Sequence, residues 1–103
     1  SSFFQKLEKS KPNENVVAIA AYLFSQYGSS PFTLDDIREL GDEVGLTIPA
    51  RIDMTLKQAK KDAKALFRSA GRGLFAPTVN GELMFKDVYN VSKGRQKRSN
   101  GDE

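Results

Sequence analysis

The sequence predicts a mainly α domain with a core of three helices, and three observations carry that expectation. Three segments repeat their apolar residues with a helical period, capping residues and glycines bracket them, and a single short stretch, residues 74–76, reads as a strand. At 103 residues the chain is long enough for one domain with a modest core.

Residues 1–11 form a leader in which Phe3, Phe4 and Leu7 stand three and four apart among lysines and glutamates. That spacing suits a short docked helix, a disordered leader or a dimer contact. The first helix is expected over residues 13–27. Pro12 precedes it, Asn13 can cap it, and Glu14 suits its first turn. Val16, Ala20, Leu23 and Tyr27 form one stripe, widened by Val17, Ile19 and Phe24, so this helix should be the most buried. Gly28, Ser29, Ser30 and Pro31 stop it.

The second helix has the clearest start. Thr33 caps it, Asp36 three residues on completes a short capping box, and Phe32 can staple against Ile37. It runs to Val44 with Leu34, Ile37, Leu40 and Val44 inward, and Gly45 terminates it. Pro49 then keeps Ile48 out of helical geometry. A third helix is expected from near Asp53, or up to two residues earlier, to about Ser69, because Ile52, Leu56, Ala59, Ala63, Leu66 and Phe67 recur at helical steps. Gly71 and Gly73 end it. After the strand at 74–76, Asn80-Gly81 signals a type I′ hairpin, whereas Thr78 can cap a fourth helix over residues 79–89; Pro77 inside a paired strand favours the helix. The domain is expected to span residues 12–89, with residues 90–103 a basic, disordered tail.

The formal charge is only +3, but it is segregated. Residues 33–43 set Asp35, Asp36, Glu39, Asp42 and Glu43 against the single base Arg38, a net charge of −4. Residues 51–72 set Arg51, Lys57, Lys60, Lys61, Lys64, Arg68 and Arg72 against Asp53 and Asp62, a net charge of +5. On one long helix Lys57, Lys60, Lys61, Lys64 and Arg68 share a face opposite the apolar seam, a geometry that offers charge to phosphates while the seam anchors the helix. The simpler alternative is an ordinary solvated lysine face.

The Phe-Thr-Leu-Asp-Asp helix start at residues 32–36, the turn, the next helix, and Gly71-Arg72-Gly73 ahead of Leu74-Phe75 together resemble winged helix-turn-helix DNA-binding domains, as does Thr78-x-x-Gly81-Glu82 after the strand. The similarity covers roughly residues 13–89. It implies a fold that is mainly α: a three-helix helix-turn-helix core with a short strand or wing and a C-terminal helix. It also implies double-stranded DNA binding through the basic third helix. In such domains that helix reads base edges, which makes Arg51, Thr55, Gln58 and Lys57 the candidate readers. Gln58 suits an adenine edge and Arg51 a guanine. Lys60, Lys61 and Lys64 become phosphate contacts, Arg68 a backbone contact, and Arg72 part of a wing. The expected role is transcription regulation, or DNA binding on behalf of a larger protein, in the cytoplasm or at the nucleoid.

Other functions find less in the sequence. Histidine and cysteine are both absent, which removes disulfides, thiolate nucleophiles and the common zinc sites. Asp35, Glu39 and Glu43 stand at four-residue steps, as acids on any acidic helix do, and no metal or small-molecule cofactor is expected. Gly71-Arg72-Gly73 lacks the lysine and spacing of a phosphate-binding loop. Tyr22, Tyr27 and Tyr89 read as core or rim, and no enzyme is expected. The longest apolar run, residues 16–24, falls far short of the ~20 residues that cross a bilayer, so no membrane partner is expected. The alternative to DNA binding is a protein-interaction or dimerisation module of the same fold, with Phe3, Phe4 and Leu7 meeting a second copy or domains of a parent protein. RNA ranks lower, because no loop combines splayed aromatics with bases.

Overall fold

A computed structural model describes residues 11–96. The leader residues Phe3, Phe4 and Leu7 lie outside them. The described chain is mainly α, with helices α1 (Pro12–Tyr27), α2 (Leu34–Val44), α3 (Ile52–Gln58) and α4 (Val79–Tyr89). Short strands β1 (Phe32–Thr33), β4 (Phe67–Gly71) and β5 (Leu74–Pro77) form one antiparallel sheet in the order β1-β5-β4, and β2 (Lys60–Lys61) pairs with β3 (Lys64–Ala65) in a second.

The central element is α1. Every residue from Asn15 to Ala21 is buried, as are Leu23 and Phe24, which fits its all-round apolar sequence. Around it α2, α3 and α4 contribute Ile37, Ile52, Leu56 and Phe85, all at most 1% exposed. An aromatic cluster ties helices to sheet: the Phe85 ring lies 5.5 Å from Phe24 and 5.9 Å from Phe67, and Phe67 meets Phe32 edge-on at 6.0 Å. Rings at these separations and tilts gain attraction beyond the area they bury.

The local signals around α2 are realised as expected. Thr33 Oγ1 accepts the Asp36 N–H at 3.0 Å while the Thr33 N–H donates to Asp36 Oδ2 at 2.8 Å, closing the capping box. Gly45 takes a left-handed conformation, φ 77°, and the Leu46 N–H reaches back to the Gly41 carbonyl at 2.9 Å. The choice at Asn80-Gly81 resolves as a helix, because Thr78 Oγ1 accepts the Gly81 N–H at 3.1 Å and so caps α4. Pro77 ends β5 where that strand has only β4 beside it, since β1 reaches no further than Leu74 and Phe75; its missing N–H is then tolerated.

The third helix departs from expectation. It stops at Gln58, with Ala59 extended at φ −68°, ψ 122°, and the rest of the expected helix becomes β2, β3 and β4. Two forces explain this. On a continuous helix Lys57, Lys60, Lys61 and Lys64 would stand three and four residues apart, each like-charged pair costing ~0.2–0.5 kcal/mol. More decisively, Phe67 reaches Phe32 and Phe85 only from a strand; on a straight helix it would sit about 16 Å beyond Leu56 along the axis. The apolar period through Ala59 and Ala63 buries too little surface to outweigh that loss.

The β2–β3 hairpin turns through Asp62 and Ala63, both with positive φ, 55° and 66°. Two consecutive left-handed residues make a type I′ turn, which asparagine and glycine favour and alanine opposes. Ala63→Gly is expected to raise the unfolding free energy by roughly 1 kcal/mol. Urea titration checks this through a higher midpoint at unchanged slope.

Candidate nucleic-acid interface

The seven cations of residues 51–72 are all exposed, but four successive elements present them rather than one helix face. Arg51 is the N-cap of α3 and Lys57 lies in its last turn. Lys60, Lys61 and Lys64 belong to the β2–β3 hairpin, Arg68 to β4, and Arg72 to the β4–β5 turn between Gly71 and Gly73. The expected continuous stripe over Lys57, Lys60, Lys61, Lys64 and Arg68 is therefore corrected.

Hairpin register divides the lysines further. Lys61 pairs with Lys64 and Lys60 with Ala65, and paired residues share a face while neighbours alternate. Lys61 and Lys64 thus stand side by side on one face, and Lys60 points to the other. Like charges placed opposite each other repel, so that face is stabilised when an anion lies across it. Among the described residues, ion pairs join Arg38 to Asp35 and Arg51 to Asp53, and Lys57, Lys60, Lys61, Lys64, Arg68 and Arg72 have no acidic partner.

Helix α3 turns Ile52 and Leu56 into the core, which leaves Arg51, Met54, Lys57 and Gln58 on its outer side. Met54, 38% exposed, stands at the middle of that face. Sequence reasoning passed over it, although its place three residues from both Arg51 and Lys57 was the available signal. Arg51 is not a free cation: its Nε and Nη2 donate to the two carboxylate oxygens of Asp53 at 3.1 and 3.0 Å. The guanidinium hydrogen bond holds the Asp53 carboxyl below the usual carboxylate range, and the same bond raises Arg51 above its own. A base edge would have to displace Asp53 to engage Arg51.

Thr55 sits apart from the outer face. Its hydroxyl donates to Asn13 Oδ1 at 3.1 Å, with the Arg51 carbonyl at 3.3 Å as a second acceptor, tying α3 to the first turn of α1. Beside this bridge an open cleft of about 350 Å³ runs between α1, α3 and α4, with Glu14, Val17, Gln58, Lys60, Met84 and Tyr89 among its walls. Burial raises the Tyr89 phenol above its usual range, and the nearby Glu14 carboxylate adds to the shift. Of the expected base readers, Lys57 and Gln58 share the exposed face, Arg51 is engaged at its edge, and Thr55 is spent on a structural contact.

Helix α2 exposes Asp35, Glu39, Asp42 and Glu43, so the acidic and basic regions expected from the sequence lie on different elements. Among the described residues no cluster of three or more His, Cys, Asp or Glu is placed to hold a metal ion, and no helix is long and apolar enough to cross a membrane. No protein-family model, curated protein or solved structure matches the chain.

Proposed function

We propose that the chain binds double-stranded DNA, as a domain of the winged helix-turn-helix type, with α2 and α3 as the helix pair and the β4–β5 hairpin as the wing. One observation carries the reading: six exposed cations without acidic partners, from Lys57 to Arg72, run from the end of α3 through the β2–β3 hairpin to the β4–β5 turn. The order β1-β5-β4, with β1 placed between the first two helices in the chain, is compatible with that architecture.

The residues divide by what they can contact. Lys60, Lys61, Lys64, Arg68 and Arg72 meet phosphates, which position the protein without reading sequence. Lys57, Gln58 and Met54 face base edges, the thioether suiting a thymine methyl and the Gln58 amide an adenine. Arg51 joins them by exchanging Asp53 for a guanine. Nothing in the set supplies a nucleophile or a tuned general base, so the role is binding: regulation of transcription, or DNA attachment of a larger protein.

Replacing Lys57, Lys60, Lys61 and Lys64 with alanine tests the proposal. All four are exposed, so the circular dichroism spectrum is expected to stay that of the wild type. Duplex affinity is expected to collapse, and the slope of log K against log salt to fall by about 2.7, at ~0.9 for each of the three phosphate contacts of Lys60, Lys61 and Lys64. Unchanged affinity in this variant ends the proposal.

A second reading, a protein-interaction or dimerisation module, is favoured by α4, where Val79 and Leu83, one turn apart, are 74% and 54% exposed. Apolar residues on an outer helix face are common at interfaces. Sedimentation velocity over a range of protein concentrations separates the two, since a constant monomer mass removes self-association.

A further inference from the structure

Residues 91–96 follow α4 without helix or strand, in a stretch whose composition predicts disorder. They are instead fixed along the last turn of α1. The Gly94 N–H donates to the Phe24 carbonyl and the Gln96 N–H to the Gln26 carbonyl, both at 2.9 Å, and Gln96 Nε2 donates to Gln26 Oε1 at 2.8 Å. Residues 94 and 96 therefore face α1. In an extended chain this turns Arg95 away from it, while the Lys93 stem runs over Gly28 just past the last turn, and both residues are exposed. The expected disordered tail is corrected up to Gln96.

Two glycines permit this close approach. A Cβ on Gly94 would collide with the Gln26 backbone, and one on Gly28 would lie 2.7 Å from the Gly94 carbonyl oxygen and 3.4 Å from the Lys93 stem. The last turn of α1 has no basic residue of its own, so the strap supplies both N–H donors and positive charge at the negative end of the helix dipole. Capping accounts for the N–H groups. The helix dipole accounts for one base beside the last turn; it does not require Lys93, Arg95, Lys97 and Arg98 to follow one another without an intervening acid, or Lys93 and Arg95 to have no acidic partner among the described residues.

The strap also has a definite place. The last turn of α1 leads through residues 28–31 into β1, whose Thr33 pairs with Leu74 just after the Gly71-Arg72-Gly73 turn. The strap thus lies at the C-terminal end of α1. Lys60 lines the cleft beside Asn13 and Glu14, at the other end of α1. The ends of this 16-residue helix are separated by about 24 Å at ~1.5 Å per residue, on the order of seven base pairs at ~3.4 Å each.

We propose that this strap is a second phosphate-contacting element, with Lys93 and Arg95 extending the duplex site beyond α3 and the lysine hairpin. The proposal rests on the DNA-binding reading above. Exposure and spacing are its basis: two exposed cations two residues apart stand about 6.6 Å from each other along a segment clamped to α1.

The test uses the full chain and duplex DNA of random sequence at several salt concentrations. Lys93→Ala with Arg95→Ala is expected to lower the thermal midpoint only slightly, through the charge lost at the helix end, and to lower the salt slope by about 1.8, at ~0.9 per contact. Gly94→Val keeps every charge but expels the strap, and is expected to weaken duplex binding as well. Unchanged slope and affinity in the double variant overturn the strap proposal, and so does a Gly94→Val protein that loses thermal stability yet binds like the wild type, since the strap would then be a helix cap alone. If the fourfold lysine variant loses binding while these keep it, the DNA reading stands and the strap inference fails. A wild-type chain that binds no duplex overturns both.

Discussion

Gly81→Ala is expected to lower the unfolding free energy by about 3 kcal/mol, at the upper end of what overpacking costs. Helix propensity argues the other way, since alanine inside a helix is favoured over glycine by ~1 kcal/mol. The structure overrides propensity here. A Cβ on Gly81 would run into the carbonyl oxygen of Leu66, a backbone atom that no side-chain rotation can move aside. That carbonyl also accepts the Thr78 N–H at 3.0 Å, so moving α4 away breaks the contact that seats the start of the helix. The same shift would draw Phe85, fully buried between Phe24 and Phe67, out of the aromatic cluster. Urea unfolding measures the loss. Asn80→Ala in the same turn, where no such contact is made, is expected to stay within about 0.5 kcal/mol of wild type. Equal stability of Gly81→Ala and wild type would mean that α4 does not dock on Leu66.

Asn15→Asp is expected to cost a further-reaching 3–5 kcal/mol near neutral pH, the range for an uncompensated buried charge. Asn15 is 2% exposed in the first turns of α1, and its Nδ2 donates to the Thr47 carbonyl at 2.7 Å, pinning the segment between α2 and α3. Its Oδ1 is buried without a hydrogen-bond partner among the described residues. A carboxylate there would set an acceptor against an acceptor and add a charge with no counter-ion. Burial would push such a carboxyl above its unfolded value of ~3.9. The sign follows: below the unfolded value both states are protonated and the variant keeps most of its stability, because a protonated carboxyl can again donate to Thr47. As pH rises through the elevated folded value, the unfolded chain ionises first and stability is lost. The gap in thermal midpoint between variant and wild type should therefore widen from pH 4 to pH 7. A gap independent of pH would show that the side chain is not enclosed.

Three of the four helices were legible in the residues themselves. Thr33 with Asp36, Gly45, and the apolar stripe from Val16 to Phe24 each act within a few residues, and each appears where expected. At Gly81 two local readings competed. The glycine that imitates a hairpin turn is present because α4 passes against the Leu66 backbone, a contact between residues fifteen apart in sequence that no local pattern encodes.

The candidate site was legible in its charges and not in their arrangement. The exposed cations of residues 51–72 were all identified from the sequence, whereas their distribution over α3, two hairpins and a turn was not. Thr55 looked like a reader by position and is bonded to Asn13, forty-two residues earlier. Met54 was passed over because an apolar residue in a helix is ordinarily assigned to the core, and only the packing of Ile52 and Leu56 turns it outward.

By itself the sequence determined where α1 ends and where α2 begins and ends, that the chain has an acidic and a basic region, and that cysteine and histidine chemistry is absent; the cap expected at Asn13 does not form, because α1 starts at Pro12 after Lys11 and Asn13 Oδ1 instead accepts from Thr55. Capping, glycine stops and net charge are properties of neighbouring residues, and they act before the chain is folded. Tertiary structure decided where α3 ends, how the lysines are divided between faces, and that the start of the basic tail is clamped to α1. Each of these is a competition between a weak local preference and a distant partner: a helical period carried by small alanines against Phe67 seated on Phe32 and Phe85, and a polar tail's freedom against the Phe24 and Gln26 carbonyls at the end of α1. In each the distant partner offers more buried surface or more satisfied polar groups, and the local preference yields.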